Sequence, residues 1–538
     1  MKLLFCCDRA ANYVEMASLL KALSANGHQC SLLLPLNLSR AKSKQKEKQL
    51  IEAAQTEKAI NKIIELDLYA IKQQAKQSLG TRTKTDRPLE SNKKKRRISV
   101  EKLLTSALLP TYQWLQLKQI PLVSALPGIY FGLWSLRRRI PSKLRAVTKR
   151  LRTRSKLLAV LAFRWRNNQL HYFFYAGFIE QLRILFRDTT FDAVILPEEV
   201  VGMVWECLVK TSNEFAIPVF VCPYTIANQQ EPFESLRDRE EFQTRNNWLV
   251  AHVFPRWRMK QEDRDLVRLP EPDILAHERH KLTPRDPWLM NSGFIQALCV
   301  ESTANRDYFV NSGIPSEQIH VTGSAALDEM YRIRQHRHAI TTELSQEMGY
   351  ENERPLLLIS GCPNQLTNCP YCEHSSMEHI ADFLSTTLAP LMATYCCIVR
   401  PHPANLEFGD MLAQHGVHAS ALPTAKLIAV SDLFIAFASS TIRWAVCCGI
   451  PTVNYDVFHF DYREYQDTVG VFNVQTKRAF EDVTSQLSFG SPLYRETRSA
   501  IEHTQQGSDT TFDGQSVSRI EGLLQSTIAQ KTRQTLSS

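Results

Sequence analysis

Several familiar signals are missing from this 538-residue chain, and each absence excludes something. There is no G-x-G-x-x-G after the first strand-like run, so a dinucleotide site has no support. No secretory signal opens the chain. Met1-Lys2-Leu3-Leu4-Phe5 is too short and lacks a cleavage region, which sets an expectation of cytoplasmic synthesis and residence. No groove-reading motif accompanies the basic residues, so no nucleic-acid partner is expected. Cys369-Pro370-Tyr371-Cys372 has no distant partner pair of the same spacing, whereas structural zinc sites normally use two ligand pairs. Cys362, Cys369, Cys372 and His374 thus keep two readings, zinc or reduced loop cysteines, and the expectation is no metal.

What is present is globular. Hydrophobic residues are 44% and charged residues 22% of the chain, and its length calls for two domains plus extra. The thirteen cysteines include the adjacent pairs Cys6-Cys7, Cys396-Cys397 and Cys447-Cys448. Most lie in apolar runs, as buried small hydrophobes of a reducing compartment do. The net charge of +9 is unevenly placed. Lys93 to Arg97 is wholly basic, within a polar stretch that reads as a flexible loop, and Arg137-Arg138-Arg139 follows an apolar, aromatic run from Leu103 to Leu136. From Gln119 to Leu136 there is no charge, but Pro121, Pro127, Gly128 and Gly132 argue against a simple span. Two readings remain: an interfacial anchor on anionic lipid, or an inserted helical subdomain that packs on the protein.

In chain order, Lys2 to Cys7 reads as a strand, Asp8 to Leu23 as a helix and Gln29 to Leu34 as a strand. Residues 39 to about 190 form the basic, largely helical insertion. Phe191 to Leu196 is a strand ending in Pro197-Glu198-Glu199, and Ile217 to Val221 is the next. Glu198 and Glu199 stand at a strand end, placed for general-base work or simply as charges at a helix start. Leu356 to Ser360 opens the second half. Cys396 to Val399 is a strand that runs into Arg400-Pro401-His402-Pro403, where the two prolines stiffen the presentation of His402. Leu433 to Phe437 is a strand, Ala438-Ser439-Ser440-Thr441 a turn, Ile442 to Cys448 a short helix and Ile450 to Asn454 a further strand. The turn reads either as a helix cap or as a phosphate cradle.

The pair RPHP and ASST followed by GIPTVNYD resembles the carboxy-terminal domain of bacterial GT-B glycosyltransferases of surface polysaccharide synthesis. It is similar to the HP and Ser-Ser motifs of sialyl- and polysialyltransferases and to a like pair in CDP-glycerol glycerophosphotransferases. The match covers roughly residues 290–475, more weakly the first 35 and 190–230, and not the basic middle of the amino-terminal half. The resemblance implies an α/β fold of two Rossmann-like domains facing a cleft. Residues 1–330 would bind the acceptor, with the insertion at 39–190; 331–354 would be the linker, 355–500 the nucleotide-donor domain and 501–538 a helical tail whose last residues fray.

It also implies that His402, Ser439, Ser440 and Thr441 hold the donor phosphates; Arg400, at the end of the same strand, is a further substrate-binding candidate. Asn364 and Gln365 would touch donor or acceptor, and Asp8 joins Glu198 and Glu199 as a catalytic candidate. No cofactor is implied. The expectation is a metal-independent transferase at the inner membrane face, with a CMP- or CDP-type donor favoured and UDP open. The acceptor would be a surface polysaccharide or lipid-linked glycan. Two alternatives are a UDP-N-acetylglucosamine 2-epimerase-like enzyme of the same fold and a non-catalytic membrane-associated scaffold.

Overall fold

A computed structural model describes residues 1–8, 10–36, 44–79, 156–202, 205–222, 229–237, 239–261, 264–348, 354–366, 371–402, 405–461, 465–506 and 511–537. Two compact units make up the chain. The first comprises Met1–Tyr13, Gly27–Cys222 and Ala227–Leu298, the second Val14–Asn26, Pro223–Ile226 and Cys299–Ser538. The basic and apolar residues 80–155, and with them most of the stretch expected at a membrane, lie outside the described residues. No helix of the described residues is long and apolar enough to cross a membrane.

The amino-terminal strands are β1 (Lys2–Cys6), β2 (Gln29–Leu36), β3 (Lys62–Asp67), β4 (Ala193–Leu196), β5 (Val219–Val221), β6 (Arg258–Gln261), β7 (Arg264–Val267), β8 (Ala297–Val300) and β9 (Ile319–Val321). Seven of them form one sheet in the order β3-β2-β1-β4-β5-β8-β9, and β6 and β7 make a separate antiparallel ribbon. The carboxy-terminal strands are β10 (Leu356–Ser360), β11 (Cys396–Arg400), β12 (His418–Ala419), β13 (Leu433–Ala436), β14 (Thr452–Tyr455) and β15 (Val471–Val474), in the order β12-β11-β10-β13-β14-β15. Each sheet begins in its middle, winds to one edge, returns to the middle and winds to the other. This is the doubly wound, Rossmann-like order, and the expected pair of such sheets is present.

The strands are parallel because each is a short apolar run with a helix between it and the next. Every residue of β4, β10 and β13 is buried. In the second unit the two faces of the sheet are separate cores. Leu357, Ile359, Cys397, Val399, Leu433 and Ile435 fill one. Leu356, Leu358, Cys396, Ile398, Phe434 and Ala436 fill the other, where Ile442, Trp444 and Ala445 of the next helix pack on them.

The insertion is less uniformly helical than its composition suggests. Helices Lys44–Thr56, Leu68–Ser78 and Lys156–Asp188 are present, but β3 lies between the first two and pairs with β2. Its KIIELD sequence has charges at both ends and in the middle, the pattern of a protected edge strand rather than of a buried one. The long helix Lys156–Asp188 docks on the helix Glu271–His280 through polar groups. Arg164 pairs with Glu271, Asn168 donates to Glu271 Oε1 (3.1 Å), and His171 Nδ1 lies 2.7 Å from Asp273.

The last helix, Ser516–Ser537, continues through the residues expected to fray. It starts on Asp328, whose buried carboxylate accepts from the backbone N–H groups of Ser516 (2.9 Å) and Val517 (2.8 Å). Asp328→Ala should therefore lower stability by about 1–3 kcal/mol, the cost of leaving buried donors unpaired. Urea denaturation followed by circular dichroism measures this. A midpoint equal to that of the wild type would mean that water replaces the carboxylate at no cost.

Candidate functional site

In the second sheet the winding reverses between β10 and β13. Open α/β sheets bind ligands outside the carboxyl ends of the strands at such a point. Three loops end there. β10 leads into Gly361-Cys362, β11 into Pro401-His402, and β13 into Phe437 to Thr441. Because β10 lies between the other two strands, the His402 loop and the Ser-Ser-Thr turn flank it, roughly 10 Å apart at the usual strand spacing.

Ser360 and Arg400 are register partners, so their side chains leave the sheet on the same face. By alternation it is the face of Leu358 and Ile398, on which the helix after the turn also packs. Ser360 Oγ and Arg400 Nε are buried with no hydrogen-bond partner. Among the described residues Arg400 Nη1 reaches the Pro401 carbonyl, at 3.4 Å, and no carboxylate. Burial lowers the Arg400 pKa, and no carboxylate acts against that shift. A half-buried guanidinium without an anion is an incomplete arrangement, which a phosphate or carboxylate would complete bidentately.

The His402 loop is tied to the β10 loop. The His402 carbonyl accepts from Asn405 N (2.8 Å), and Asn405 Nδ2 donates to the Cys362 carbonyl (2.9 Å). Gly361 N donates to the Arg400 carbonyl at 2.7 Å. A Cβ on Gly361 would collide with the backbone nitrogen of His402, so only glycine allows this approach. Asn364 is exposed and Gln365 half-buried in the same β10 loop.

The turn after β13 starts at Ala438, which adopts φ 46°, in the left-handed region. Asn454 Oδ1 holds it there by accepting from its N–H at 2.9 Å. Ser439 Oγ lies 2.8 Å from Thr441 Oγ1 and accepts from Thr441 N at 3.3 Å. The Ser440 carbonyl accepts from Arg443 Nη1 and from the Tyr465 hydroxyl, each at 3.4 Å. Arg443 in turn donates to Glu301 Oε2 at 2.7 Å, and Ser324 Oγ donates to Glu301 Oε1 at 2.6 Å. The following helix, Ile442–Cys447, has only six residues, and Thr441 makes no side-chain cap. Its dipole is correspondingly small, so an anion here would rest on Arg400, His402 and the hydroxyls.

Among the described residues no three His, Cys, Asp or Glu side chains are placed to hold a metal ion, and Cys369 lies outside them. His374 is buried with its Nε2 at 3.0 Å from the Tyr455 hydroxyl, and burial drops its pKa to about 4. Burial pushes the Cys362 thiol far up.

The first sheet has its own reversal, between β1 and β4. Asp8 follows β1 and Glu198 follows β4, and Asn12 joins them. Asn12 Nδ2 lies 2.8 Å from Asp8 Oδ1 and 3.4 Å from Glu198 Oε1. Asn12 is fully buried, and its Oδ1 is without a partner. Sequence reasoning missed it. Its local sequence gives no signal: the first helix is Ala10–Ala25, and Asn12 stands in its first turn, beyond the strand end that carries Asp8.

Glu199 has different surroundings from its neighbour. Its N–H donates to Asn291 Oδ1 (2.7 Å), and its Oε2 accepts from Gly293 N (2.6 Å). A Cβ on Gly293 would overlap the carboxylate. Burial, and next the charge of Glu206, raise the Glu199 pKa to about 8, against the pull of the Gly293 N–H and Arg285. Burial thus makes this carboxyl hold its proton more tightly than an ordinary carboxylate does.

No family model matches the chain, and no curated protein sequence matches it. Some solved structures align with it at low identity. A UDP-GlcNAc 2-epimerase from Neisseria meningitidis bound to UDP-GlcNAc is 12% identical at a TM-score of 0.47, over 97% of this chain and 99% of that one. An S. aureus MnaA–UDP co-structure is 9% identical at a TM-score of 0.44, over 96% and 94%. The wall teichoic acid polymerase TagF is 11% identical at a TM-score of 0.38, over 59% and 69%. The reading of the fold and of the site rests on this chain's own residues.

Glu199 makes stability depend on pH. Between the ordinary value of 4.5 and about 8, the folded chain holds a proton that the unfolded chain has released. Raising the pH through this window must then cost stability. The urea midpoint of the wild type should fall from pH 5 to pH 8 relative to Glu199→Gln, whose amide stays neutral. Parallel curves for the two proteins would show that Glu199 ionises like an exposed carboxylate.

Proposed function

We propose that the chain is a transferase of the GT-B kind. It would take a sugar, or a polyol phosphate, from a nucleotide-activated donor and hand it to a surface polysaccharide or a lipid-linked glycan. The observation that carries this reading is the Arg400 guanidinium without an anion, with the unpartnered Ser360 hydroxyl on the same face and His402 two residues on, at a sheet reversal. A nucleotide phosphate supplies the missing charge. The resemblance of the RPHP and ASST motifs favours a CMP or CDP donor and leaves UDP open.

The division of labour follows from the side chains. An acceptor hydroxyl attacks the donor carbon or phosphorus, the bond to the nucleotide phosphate breaks, and the proton goes to a carboxylate. Asp8 and Glu198, sharing Asn12, are the pair that takes the proton. Arg400, His402 and the hydroxyls of Ser439, Ser440 and Thr441 stabilise the charge that grows on the leaving phosphate, in place of a metal. Asn364 and Gln365 stand in the adjoining loop to contact substrate.

His402→Ala should weaken nucleotide binding by about 1.5–3 kcal/mol, the range for a hydrogen bond to a charged group, and should lower turnover with it. Ser440→Ala should cost less, because backbone donors remain. Titration calorimetry with CMP, CDP and UDP, beside circular dichroism, measures this. A folded His402→Ala protein that binds and turns over like wild type would defeat the assignment. Binding of no nucleotide by the wild type would indicate a scaffold, and interconversion of UDP-GlcNAc with its epimer would indicate an epimerase.

This reading places the enzyme at the inner face of the cytoplasmic membrane, held by the apolar, arginine-flanked residues 103–166. Co-sedimentation with anionic liposomes should drop sharply when 103–139 is deleted from a protein that still folds. Equal partitioning of both proteins, or none by either, rejects the anchor.

A further inference from the structure

The turn from Ala438 to Thr441 is not held by its own residues alone. A circuit of hydrogen bonds runs from it across two strands and back. Asn454 Oδ1, on β14, accepts from Ala438 N at 2.9 Å. Asn454 Nδ2 donates to Asn473 Oδ1, on β15, at 2.9 Å. Asn473 Nδ2 donates to the Tyr465 carbonyl at 2.8 Å, and the Tyr465 hydroxyl donates to the Ser440 carbonyl at 3.4 Å. The circuit leaves the turn at Ala438 and re-enters it at Ser440, so it encloses Ser439.

The two asparagines meet because they are register partners on adjacent parallel strands, with their side chains on the same face. The direction of the circuit is fixed by backbone groups. The Ala438 N–H can only donate and the Tyr465 carbonyl can only accept. Turning either amide over would set donor against donor or acceptor against acceptor. Asn454 is buried, whereas Asn473 is exposed on the outermost strand of the sheet. What the circuit secures is a strained backbone. Ala438, at φ 46°, is in a left-handed conformation that a residue with a Cβ keeps only when its surroundings hold it. Without the circuit the turn would relax toward an ordinary φ, and the hydroxyls of Ser439, Ser440 and Thr441 would move with it.

We propose that Asn473 is a positioning residue for phosphate binding. It acts through its two neighbours and not on the nucleotide. It orients Asn454, which keeps Ala438 left-handed, and it fixes Tyr465, which steadies Ser440. The hydroxyls and N–H groups of the turn thereby stay aimed at one place. This role rests on the reading of the turn as the phosphate site.

Calorimetry on the full chain with CMP, CDP and UDP, beside urea denaturation, tests it. Asn473→Ala should weaken binding of the nucleotide that the wild type takes by about three- to tenfold, the worth of one or two neutral hydrogen bonds. The urea midpoint should move little, because the side chain lies on an exposed edge. Ala438→Gly, added to Asn473→Ala, should recover most of the lost affinity, since glycine takes the left-handed conformation unaided. A merely structural role predicts no such recovery. Tyr465→Phe, which deletes only the hydroxyl that closes the circuit, should also weaken binding, and it decides the matter if Asn473→Ala does not fold. Unchanged affinity in folded Asn473→Ala, where His402→Ala weakens binding, overturns the proposal and leaves the phosphate reading standing. So does a loss that Ala438→Gly fails to recover. Binding of no nucleotide by the wild type overturns the phosphate reading, and this role with it.

Discussion

Parallel strands joined by helices cannot turn back without crossing over, and that constraint produces both candidate sites. When the winding reverses at the central strand, the loops on its two sides leave in opposite directions and open a crevice at the carboxyl edge. β1 with β4 does this in one sheet and β10 with β13 in the other. Every residue proposed for chemistry stands on a loop leaving one of these two reversals, or on a neighbouring strand end. The buried apolar strands supply the rigidity, and the loops supply the functional groups.

The two reversals carry opposite chemistry. The first gathers two carboxylates about the amide of Asn12, an arrangement suited to removing a proton. The second presents a guanidinium, an imidazole and hydroxyls, suited to receiving negative charge. A group transfer needs both: a nucleophile made more basic and a leaving group made more stable.

Much of this could be read from the chain. Strands β10, β11, β13 and β14 are short apolar runs bounded by Pro, Gly or polar turns, and their ends lie within a residue or two of the expected places, whereas β12 and β15 were not foreseen. The proline-framed His402 and the turn at Ser439 to Thr441 were visible as local patterns. What was hidden depends on residues far apart in sequence. Glu199 meets Gly293 across 94 positions, and Glu301 meets Arg443 across 142. Nothing local marks Glu199 as a buried carboxyl whose pKa is raised. β3 was hidden for another reason: its edge position tolerates charges that break the strand pattern. Ser360 looked like an ordinary strand end until its register with Arg400 was known.

The Glu301–Arg443 pair has a consequence for the width of the second crevice. The His402 loop is fastened to the β10 loop by backbone contacts through Gly361 and Asn405. The Ser440 turn, on the other flank, is steadied from behind by Arg443, which leans on Glu301. One wall is thus set by peptide geometry and the other by a charge pair. With its two side chains only 12% and 11% exposed, that pair is weakly screened by salt. The opening should keep its dimensions from dilute buffer to high ionic strength, whereas loss of either partner would strand a buried charge and free one wall alone.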